Sequence, residues 1–285
     1  MSRDKPEIRI ITYMCPTHPV ELYELIMELF EDALDCNTTL QYESRSPGPI
    51  PGRPDPFETN KVDVAFMTAA AYMKLQEKQN NNFIELLPAT PIFAHQMNVE
   101  NKPGYFSDII IHSDKKAHNV NTLLDLRGCT FAYSNEESLS GSKIVLKMLK
   151  EKGENASFFG SLLKSGSHLA SAQMVLAKQA EWAAVDSTTL LYSKKYMQDG
   201  GKEIITLETL GRLPPYPIVV NSRLPAEIKT AITKAFLNLS HSAQWKKKFA
   251  KFGIIKFEHN SNGAYNGPAA QMWSIQKEKL NVRYY

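Results

Sequence analysis

The sequence predicts an α/β fold built on mostly parallel sheets. Apolar runs of strand length alternate with helical patterns along most of the 285 residues, as in chains of βαβ units. Between Asp125 and Thr189, three short apolar strands each run into small hydroxyl residues, and a helix follows each time. In a parallel sheet this pattern brings three helix N-termini to one edge, where unpaired N–H groups favour anions. We therefore expect that edge to form half of an anion-binding cleft.

The composition excludes several function classes. Hydrophobic residues make up 43% and charged residues 22%, which is ordinary for a globular protein, and the length allows two modest domains or one large one. A net charge of +3 is too small to predict a nucleic-acid partner. Cys15, Cys36 and Cys129 show neither metal-ligand spacing nor a paired framework. We therefore predict reduced thiols, no metal and no cofactor.

The chain opens with a βαβ pattern. A β-rich run at Ile8–Thr12 precedes apolar residues at helical spacing over Val20–Leu34, and Thr38–Tyr42 reads as a second strand. A third strand at Lys61–Met67 leads directly into a helix that opens at Thr68. The connection between these strands should make the sheet at least partly parallel.

Residues 44–56, the proline loop, depart from this pattern. Five prolines alternate with glycine and arginine, which favours an extended, polyproline-like loop. A surface excursion between strand and helix is the plain interpretation. A lid over a cleft and a docking loop for a partner are the alternatives.

The remaining elements follow from the same signals. Further strands are predicted at Ile84–Leu87, Ile92–Met97, Tyr105–His112, Glu203–Leu207 and Ile218–Asn221, and further helices from Thr189 to about Tyr196, from Pro225, and from Ala243 to Phe252. The tail beyond Asn260 is polar, and its aromatic residues are expected to pack on the body.

Several segments taken together resemble one family. They are Val62–Met67 before an alanine-rich turn with Tyr72, Gly104–Ser107 opening a strand, Asp125–Gly128 before a strand, Ser138–Gly141, Gly166–His168, Ala183–Ser187, and Val219–Val220 before Leu224–Pro225. This ordered set covers nearly the whole chain. It is similar to the phosphonate- and phosphite-binding solute receptors of ABC importers, within the type 2 periplasmic-binding-protein superfamily.

The resemblance implies a fold of two α/β lobes, each with a mixed, mostly parallel sheet flanked by helices. Two hinge crossings, near Tyr105–His112 and Pro217–Asn221, would join the lobes, and the ligand would lie in the cleft between them. Lobe one would contain residues 1–108 and 218–285, and lobe two residues 109–217.

The resemblance makes the serine-rich segment the first candidate for ligand binding. Ser138, Ser140 and Ser142 surround Gly141 at the start of a helix, where hydroxyl and N–H groups can donate to phosphoryl oxygens. Taken singly, any of these serines is better explained as a helix N-cap, and it is the resemblance that makes them ligand contacts. Lys143 follows in the first turn, either as a solvated lysine or as a charge partner for the anion.

His168 and Asp186 are the candidates for selecting the ligand. His168 follows Gly166-Ser167 at the next helix start, where the helix dipole disfavours the protonated imidazole, so a neutral donor is expected. Asp186 ends a strand, and it either caps the following helix or, as the resemblance implies, accepts from a protonated ligand oxygen or an amine. In the second role it would favour monoprotonated oxyanions.

The predicted first lobe and the first crossing supply three more candidates. Tyr13 ends the first strand, Thr68 ends the third, and Tyr105 lies at a crossing, so all three are expected to line the cleft. Phe106 replaces the second tyrosine of the family's Gly-Tyr-Tyr-Ser pattern. The proline loop replaces a region that usually contributes a ligand tyrosine, for which Tyr42 is the nearby candidate.

The leading functional hypothesis is non-catalytic binding of a small oxyanion such as a phosphonate, a phosphate ester or phosphite. An enzyme on the same scaffold, similar to the synthases of the thiamine pyrimidine, is one alternative, with Cys15, His18 and His168 as a reactive set. A protein-interaction module that docks through the proline loop is another.

Cellular location and partners follow from the ends of the given sequence. The N-terminus carries no apolar run before its first strand, so a secretory signal is not expected and the sequence as given predicts a cytoplasmic sensor or carrier. A leader upstream would instead predict a periplasmic or secreted receptor with a membrane transporter as partner. We expect a monomer.

Overall fold

The structure is a computed structural model, which describes residues 5–15, 17–77, 82–197 and 199–267. The chain divides into two compact units. Unit one contains Met1–Gly104 and Pro214–Tyr265, and the body of unit two is Tyr105–Leu213. These divisions fall a few residues before the predicted lobe boundaries. The partition into lobes joined by hinges stays a prediction.

Strands and helices alternate along most of the described chain. The strands are β1 Glu7–Thr12, β2 Asn37–Tyr42, β3 Val64–Phe66, β4 Ile84–Leu86, β5 Thr90–Phe93, β6 Tyr105–His112, β7 Thr130–Tyr133, β8 Ser161–Lys164, β9 Trp182–Asp186, β10 Ile204–Leu213, β11 Ile218–Asn221 and β12 Ile254–Glu258. The α-helices are α1 Val20–Leu34, α2 Ala69–Gln76, α3 Ser113–Ala117, α4 Ile144–Glu151, α5 His168–Leu176, α6 Ser187–Ser193, α7 Ala226–Leu237 and α8 Ala243–Ala250.

Unit one is built on a sheet in the order β2-β1-β3-β11-β4. β2 and β3 pair with β1 in parallel, whereas β11 is antiparallel to both β3 and β4. Thr12 lies opposite Phe66 in the β1–β3 register. The residues that follow these strands therefore meet at one edge of the sheet, which places Tyr13 and Thr68 at the same edge.

The helix α1 shows how unit one buries its apolar residues. One stripe of α1, which includes Leu22, Ile26 and Leu29, is buried, and charged residues occupy the opposite side. Phe30 is fully buried and packs edge-on against Phe236 of α7, with 5.3 Å between ring centroids. Burial of this stripe holds α1 against the rest of unit one.

Unit two is built on a sheet in the order β10-β6-β9-β7-β8. β8 and β9 each pair with β7 in parallel, and β6 is antiparallel to both β9 and β10. The carboxyl ends of β7, β8 and β9 therefore share one edge, as the strand-to-hydroxyl pattern predicts. An aromatic core lies near the amino ends of these strands, where Trp182, the first residue of β9, stacks on Phe131 at 4.1 Å and on Phe159 at 5.9 Å.

Three differences between the predicted and the observed elements have a tertiary cause. Ile254–Glu258, for which no strand was predicted, pairs antiparallel with β5 in a separate two-stranded sheet. β10 extends to Leu213 because it pairs along β6 through two register irregularities, which break the alternation expected of a strand. β5 ends at Phe93, since the Asn98 side chain bonds to the backbone N–H and carbonyl of Lys102 and closes a loop.

The proline loop packs against the rest of unit one. A Cβ atom at Gly48 would lie 2.7 Å from the Cβ of Ala71, so the loop approaches the first turn of α2 closely. The N–H of Thr68 also donates to the carbonyl of Pro47 at 3.3 Å. The loop therefore lies beside the edge that carries Thr68, and its predicted role as a lid or docking loop stays a prediction.

None of the helices in the described part of the chain combines the length and the apolar character needed to cross a membrane.

Candidate functional site

The serine-rich segment forms a single turn of π-helix at Leu139–Lys143, between the end of β7 and the start of α4. π-Helical turns are rare and often occur at functional sites. Ser138 caps the turn, because its Oγ accepts a hydrogen bond from the N–H of Gly141 at 2.9 Å. The hydroxyl of Ser142 points to the carbonyls of Asn135, Glu136 and Ser138, so it holds the turn in place. We call Ser138–Lys143 the serine turn.

Gly141 is required by the close approach of its neighbours. A Cβ atom on Gly141 would lie 2.4 Å from the Oγ of Ser134, 2.9 Å from the Oγ of Ser138 and 3.1 Å from Cε1 of His168. Distances below about 3 Å are excluded by sterics, so no other residue type fits without displacing these side chains. Glycine at this position thus allows two hydroxyls and an imidazole to meet around one backbone atom.

His168 joins the start of α5 to the serine turn. Its Nε2 atom lies 3.3 Å from the Oγ of Ser138 and 3.4 Å from the Oγ of Ser140. The N–H of Asp186 donates to Nδ1 at 3.2 Å, so we assign the ring proton to Nε2, facing the two serines. Burial lowers the pKa of His168, while the Asp186 carboxylate and the Ala184 carbonyl act in the opposite direction. The imidazole is therefore a neutral N–H donor at neutral pH, as the sequence predicts.

Strand β6 brings Tyr105 to the same edge. Ser107 of β6 lies opposite Asp186 in the register with β9, and its hydroxyl donates to the carbonyl of Ser140 at 2.6 Å. Tyr105, two residues earlier, is buried. Burial and the Asp186 carboxylate raise the pKa of its phenol, and a hydrogen bond with the Ser140 side chain acts against them. The phenol is thus a neutral hydrogen-bonding group beside the serine turn.

Asp186 caps helix α6. Its Oδ1 accepts from the N–H of Thr188 at 2.9 Å, from the Thr188 hydroxyl at 2.7 Å, and more weakly from the N–H of Thr189 at 3.5 Å. This is the capping role that was one of the two interpretations of the sequence. Its role as a ligand acceptor stays a prediction, and the carboxylate does lie 2% exposed at the shared edge.

Two residues of this edge were undervalued at the level of sequence. Lys143, for which a solvated side chain was the ordinary interpretation, is only 4% exposed. Ser134, which follows β7, carries a buried hydroxyl without a hydrogen-bond partner in the described structure. Both lie in or beside the segment that the pattern singled out, but their burial depends on tertiary packing, which the pattern does not contain.

Unit one presents its candidates at its own sheet edge. Tyr13 is buried, and burial raises the pKa of its phenol, with further contributions from the carboxylates of Asp55 and Glu43. Thr68 caps α2 by accepting from the N–H of Ala71 at 3.2 Å. Their contribution to ligand binding stays a prediction.

The proposed reactive set of Cys15, His18 and His168 has no support in the local geometry of unit one. Burial raises the pKa of the Cys15 thiol to about 11, which keeps the thiol protonated and a poor nucleophile. The Nδ1 of His18 lies 3.1 Å from the hydroxyl of Tyr23, and its ring packs against Phe93 and Tyr216. His18 is therefore a core histidine. Within the described residues, no three His, Cys, Asp or Glu side chains are grouped as metal ligands.

Comparison with known proteins shows which family this chain is similar to. A family model described as "ABC transporter, phosphonate, periplasmic substrate-binding protein" matches residues 13–265. The chain is 26% identical over 205 residues to the phosphonates-binding periplasmic protein of Escherichia coli (strain K12). That alignment covers 71% of this chain and 58% of the relative. The chain thus spans less than two thirds of the length of this curated relative.

Two solved structures share the fold. The binding protein component of an ABC phosphonate transporter from Pseudomonas aeruginosa superimposes with a TM-score of 0.74 at 18% identity, covering 96% of this chain and 87% of the other. PhnD1 of Prochlorococcus marinus (MIT 9301), solved in complex with methylphosphonate, gives a TM-score of 0.71 at 12% identity, covering 96% of this chain and 99% of the other. The fold is the α/β, two-lobed type 2 periplasmic-binding-protein-like fold, and because the family model matches most of its length, the chain belongs to the family of phosphonate periplasmic substrate-binding proteins of ABC transporters.

Proposed function

We propose that this protein is a receptor that binds a small phosphonate-type oxyanion, without catalysis, at the serine turn and His168 of unit two. One observation carries the proposal. The Nε2 of His168 and the hydroxyls of Ser138 and Ser140 converge within 3.4 Å beside Gly141, at the edge where three parallel strands end.

The chemistry of this cluster suits a phosphoryl group. A neutral imidazole donates one N–H, and two serine hydroxyls can rotate to donate their protons. The N–H groups at the start of the π-turn and of α5 add donors, and the nine residues of α5 place the positive end of its dipole at His168. Several neutral donors around one position bind an oxyanion without a metal ion, and three phosphoryl oxygens can use all of them.

The biological role that we propose follows the family. The E. coli relative is a phosphonates-binding periplasmic protein, and the matching family is described as substrate-binding proteins of ABC transporters. We propose a transporter partner and a periplasmic location here as well, with a cytosolic sensor or carrier of the same ligands as the alternative. Fractionation of cells that express the native gene separates the two.

Ligand binding should raise the melting temperature of the protein. At a ligand concentration about 100 times Kd, linkage adds about 2.7 kcal/mol to the free energy of unfolding, which corresponds to about 5–10 °C for a domain of this size. We expect this shift with methylphosphonate, phosphite or phosphate in a thermal-melt assay. Ser140→Ala and His168→Ala should each weaken binding by about 1.5–3 kcal/mol, because each removes a hydrogen bond to a charged group.

The control for this experiment is Ser157→Ala, which removes an exposed hydroxyl of unit two away from the serine turn. This variant should keep the full ligand-induced shift. If the whole oxyanion panel leaves the melting temperature of the wild type unchanged, the proposed function is wrong. A shift that survives in both site variants would place the ligand elsewhere.

A further inference from the structure

A polar pocket lies at the edge of unit one opposite to the edge that carries Tyr13 and Thr68. It has a volume of about 380 Å³ and is lined by residues from the start of β1, from the turn before β3 and from the segment between β11 and α7. β1 and β3 are parallel and β11 is antiparallel to β3, so the first two strands begin here and the third ends here. The proposed function makes no use of this pocket, and its volume suits a small molecule.

Arg9 of β1 is fixed and balanced in the wall of this pocket. Its Nε and Nη2 atoms donate to the two carboxylate oxygens of Asp63 at 2.9 and 2.8 Å. Its Nη1 atom donates to the carbonyl of Asn60 at 2.6 Å. The Asp63 carboxylate also accepts from the backbone N–H of Arg9 at 2.8 Å. Arg9 and Asp63 therefore form a bidentate ion pair that leaves little net charge for a ligand.

Arg223 also lines the pocket, and it makes no ion pair with a carboxylate of the described residues. Its Nη1 atom donates to the carbonyl of Glu58 at 3.0 Å and more weakly to that of Phe57 at 3.4 Å. Its guanidinium carbon lies 4.9 Å from the centroid of the Phe83 ring. These contacts fix the guanidinium plane, so a ligand would meet an arginine that is already ordered.

The Nε and Nη2 atoms of Arg223 carry its unused donors. Neither atom makes a hydrogen bond within the part of the chain that the structure describes. Their two N–H groups form a fork that can bind both oxygens of one carboxylate. Glu58 and Phe83, which hold Nη1 and one face of the plane, are not among the described residues that line the pocket. The polar part of Arg223 that remains for the pocket is therefore the fork.

The charges around the pocket determine which anion fits. Arg9 and Asp63 cancel each other. Arg223 contributes one positive charge, and the exposed Glu7 contributes one negative charge to the pocket wall. One unbalanced guanidinium beside a carboxylate suits a singly charged anion, because a dianion such as phosphate would meet stronger repulsion. Leu224 lines the same pocket and offers apolar surface to a substituent of that anion.

We propose that this pocket binds a small organic monocarboxylate, with its carboxylate on the fork of Arg223 and its apolar substituent against Leu224. Both carboxylate oxygens use the fork, and the single charge limits repulsion by Glu7. The pocket is a second ligand site on unit one, at the sheet edge away from Tyr13 and Thr68. The inference does not rest on the proposed function.

Nitrogen-15 NMR of the arginine side chains in the whole chain tests this proposal. The Nε–H signal of Arg223, assigned by its loss in Arg223→Gln, should shift and saturate on titration with butyrate at low ionic strength. The signal of Arg127 should stay unchanged, because that guanidinium pairs with Glu154 in unit two. Phosphate should bind at least about 3-fold more weakly than butyrate. A shift that does not saturate, or that sodium chloride at equal ionic strength reproduces, would overturn the proposal.

Two variants with opposite expected effects make the test specific. Arg223→Lys keeps the charge but loses the fork, so the affinity for butyrate, followed at the backbone N–H of Leu224, should fall at least about 10-fold. Glu7→Gln removes a competing negative charge from an exposed position, so the affinity should rise about 2- to 5-fold at low salt. Wild-type affinity in either variant would overturn the role of the fork or of the charge balance.

The pocket and the serine turn can be tested separately. His168→Ala should leave the affinity for butyrate unchanged, and Arg223→Gln should leave the rise in melting temperature with methylphosphonate unchanged. Loss of butyrate binding in His168→Ala would place the carboxylate at the serine turn and overturn the proposal. A wild type that binds butyrate at Arg223 but no oxyanion of the panel would refute the proposed function alone.

Discussion

Replacing Gly141 with alanine should weaken oxyanion binding by at least two orders of magnitude. The new Cβ atom would lie 2.4 Å from the Oγ of Ser134 and 2.9 Å from the Oγ of Ser138, so both side chains and the ring of His168 must move. Overpacking of this kind costs about 1–3 kcal/mol of stability. Displacement of two donors, at about 1.5–3 kcal/mol each, should reduce the affinity for methylphosphonate by about 10²- to 10⁴-fold in isothermal titration.

Two further variants make this result specific. Gly263→Ala is the matched control, because a Cβ at Gly263 meets its nearest atom, the Oγ of Ser261, at an ordinary 3.5 Å. Its stability and affinity should equal those of the wild type. Ser134→Ala in the Gly141→Ala background removes the closest clash and should restore part of the lost stability. A Gly141→Ala variant that binds with wild-type affinity would contradict the described geometry.

Replacing Trp182 with alanine should give the largest loss of stability in unit two. Trp182 is fully buried, packs against both Phe131 and Phe159, and meets Phe158 edge-on. Truncation of a fully buried tryptophan costs about 3–5 kcal/mol, because apolar burial is lost and a cavity remains. The strand β9 carries Asp186 at its end, so ligand binding should weaken along with stability. Hydrogen exchange of the amides in β7 and β9 measures the effect within unit two.

The comparison variants for this substitution are Trp182→Phe and Trp245→Ala. The Trp182 Nε1 atom has no hydrogen-bond partner in the described structure, so Trp182→Phe loses volume but no hydrogen bond and should be milder than alanine. Trp245 is half-buried on α8 in unit one, where Lys248 covers its ring, so its truncation should leave β7 and β9 unaffected. Wild-type exchange rates in Trp182→Ala would show that the aromatic core does not support the site.

Much of the fold could be predicted because its signals are local. The helix α1 and the strands β6 and β11 lie at their predicted bounds, since apolar periodicity and flanking prolines specify them within the segment itself. The alternation of strands with hydroxyl-rich helix starts also predicted the edge shared by β7, β8 and β9. The resemblance to phosphonate receptors is confirmed by the family match, and the fold class is confirmed by the solved structures that share the fold.

What could not be predicted depends on contacts between distant segments. β12 exists because it pairs with β5, some 160 residues earlier in the chain, as its register shows. The burial of Lys143 and the unpaired hydroxyl of Ser134 arise where β7, the serine turn and α5 meet. A lysine in the first turn of a helix is ordinarily solvated, so sequence alone favoured the wrong environment for Lys143.

For Asp186, the sequence could not decide between two roles. The two interpretations of this residue, helix cap and ligand acceptor, require the same residue type at the same strand end. The structure shows the cap in its bonds to Thr188 and Thr189, and a cap with a second carboxylate oxygen can still act on a ligand charge.

A crystal structure of the protein with saturating methylphosphonate tests the central claim most directly. We predict phosphoryl oxygens within hydrogen-bonding distance, about 2.6–3.2 Å, of the His168 Nε2 and of the hydroxyls of Ser138 and Ser140. Ligand density at any other position, or a ligand-free serine turn at a concentration that saturates binding in solution, would contradict the account.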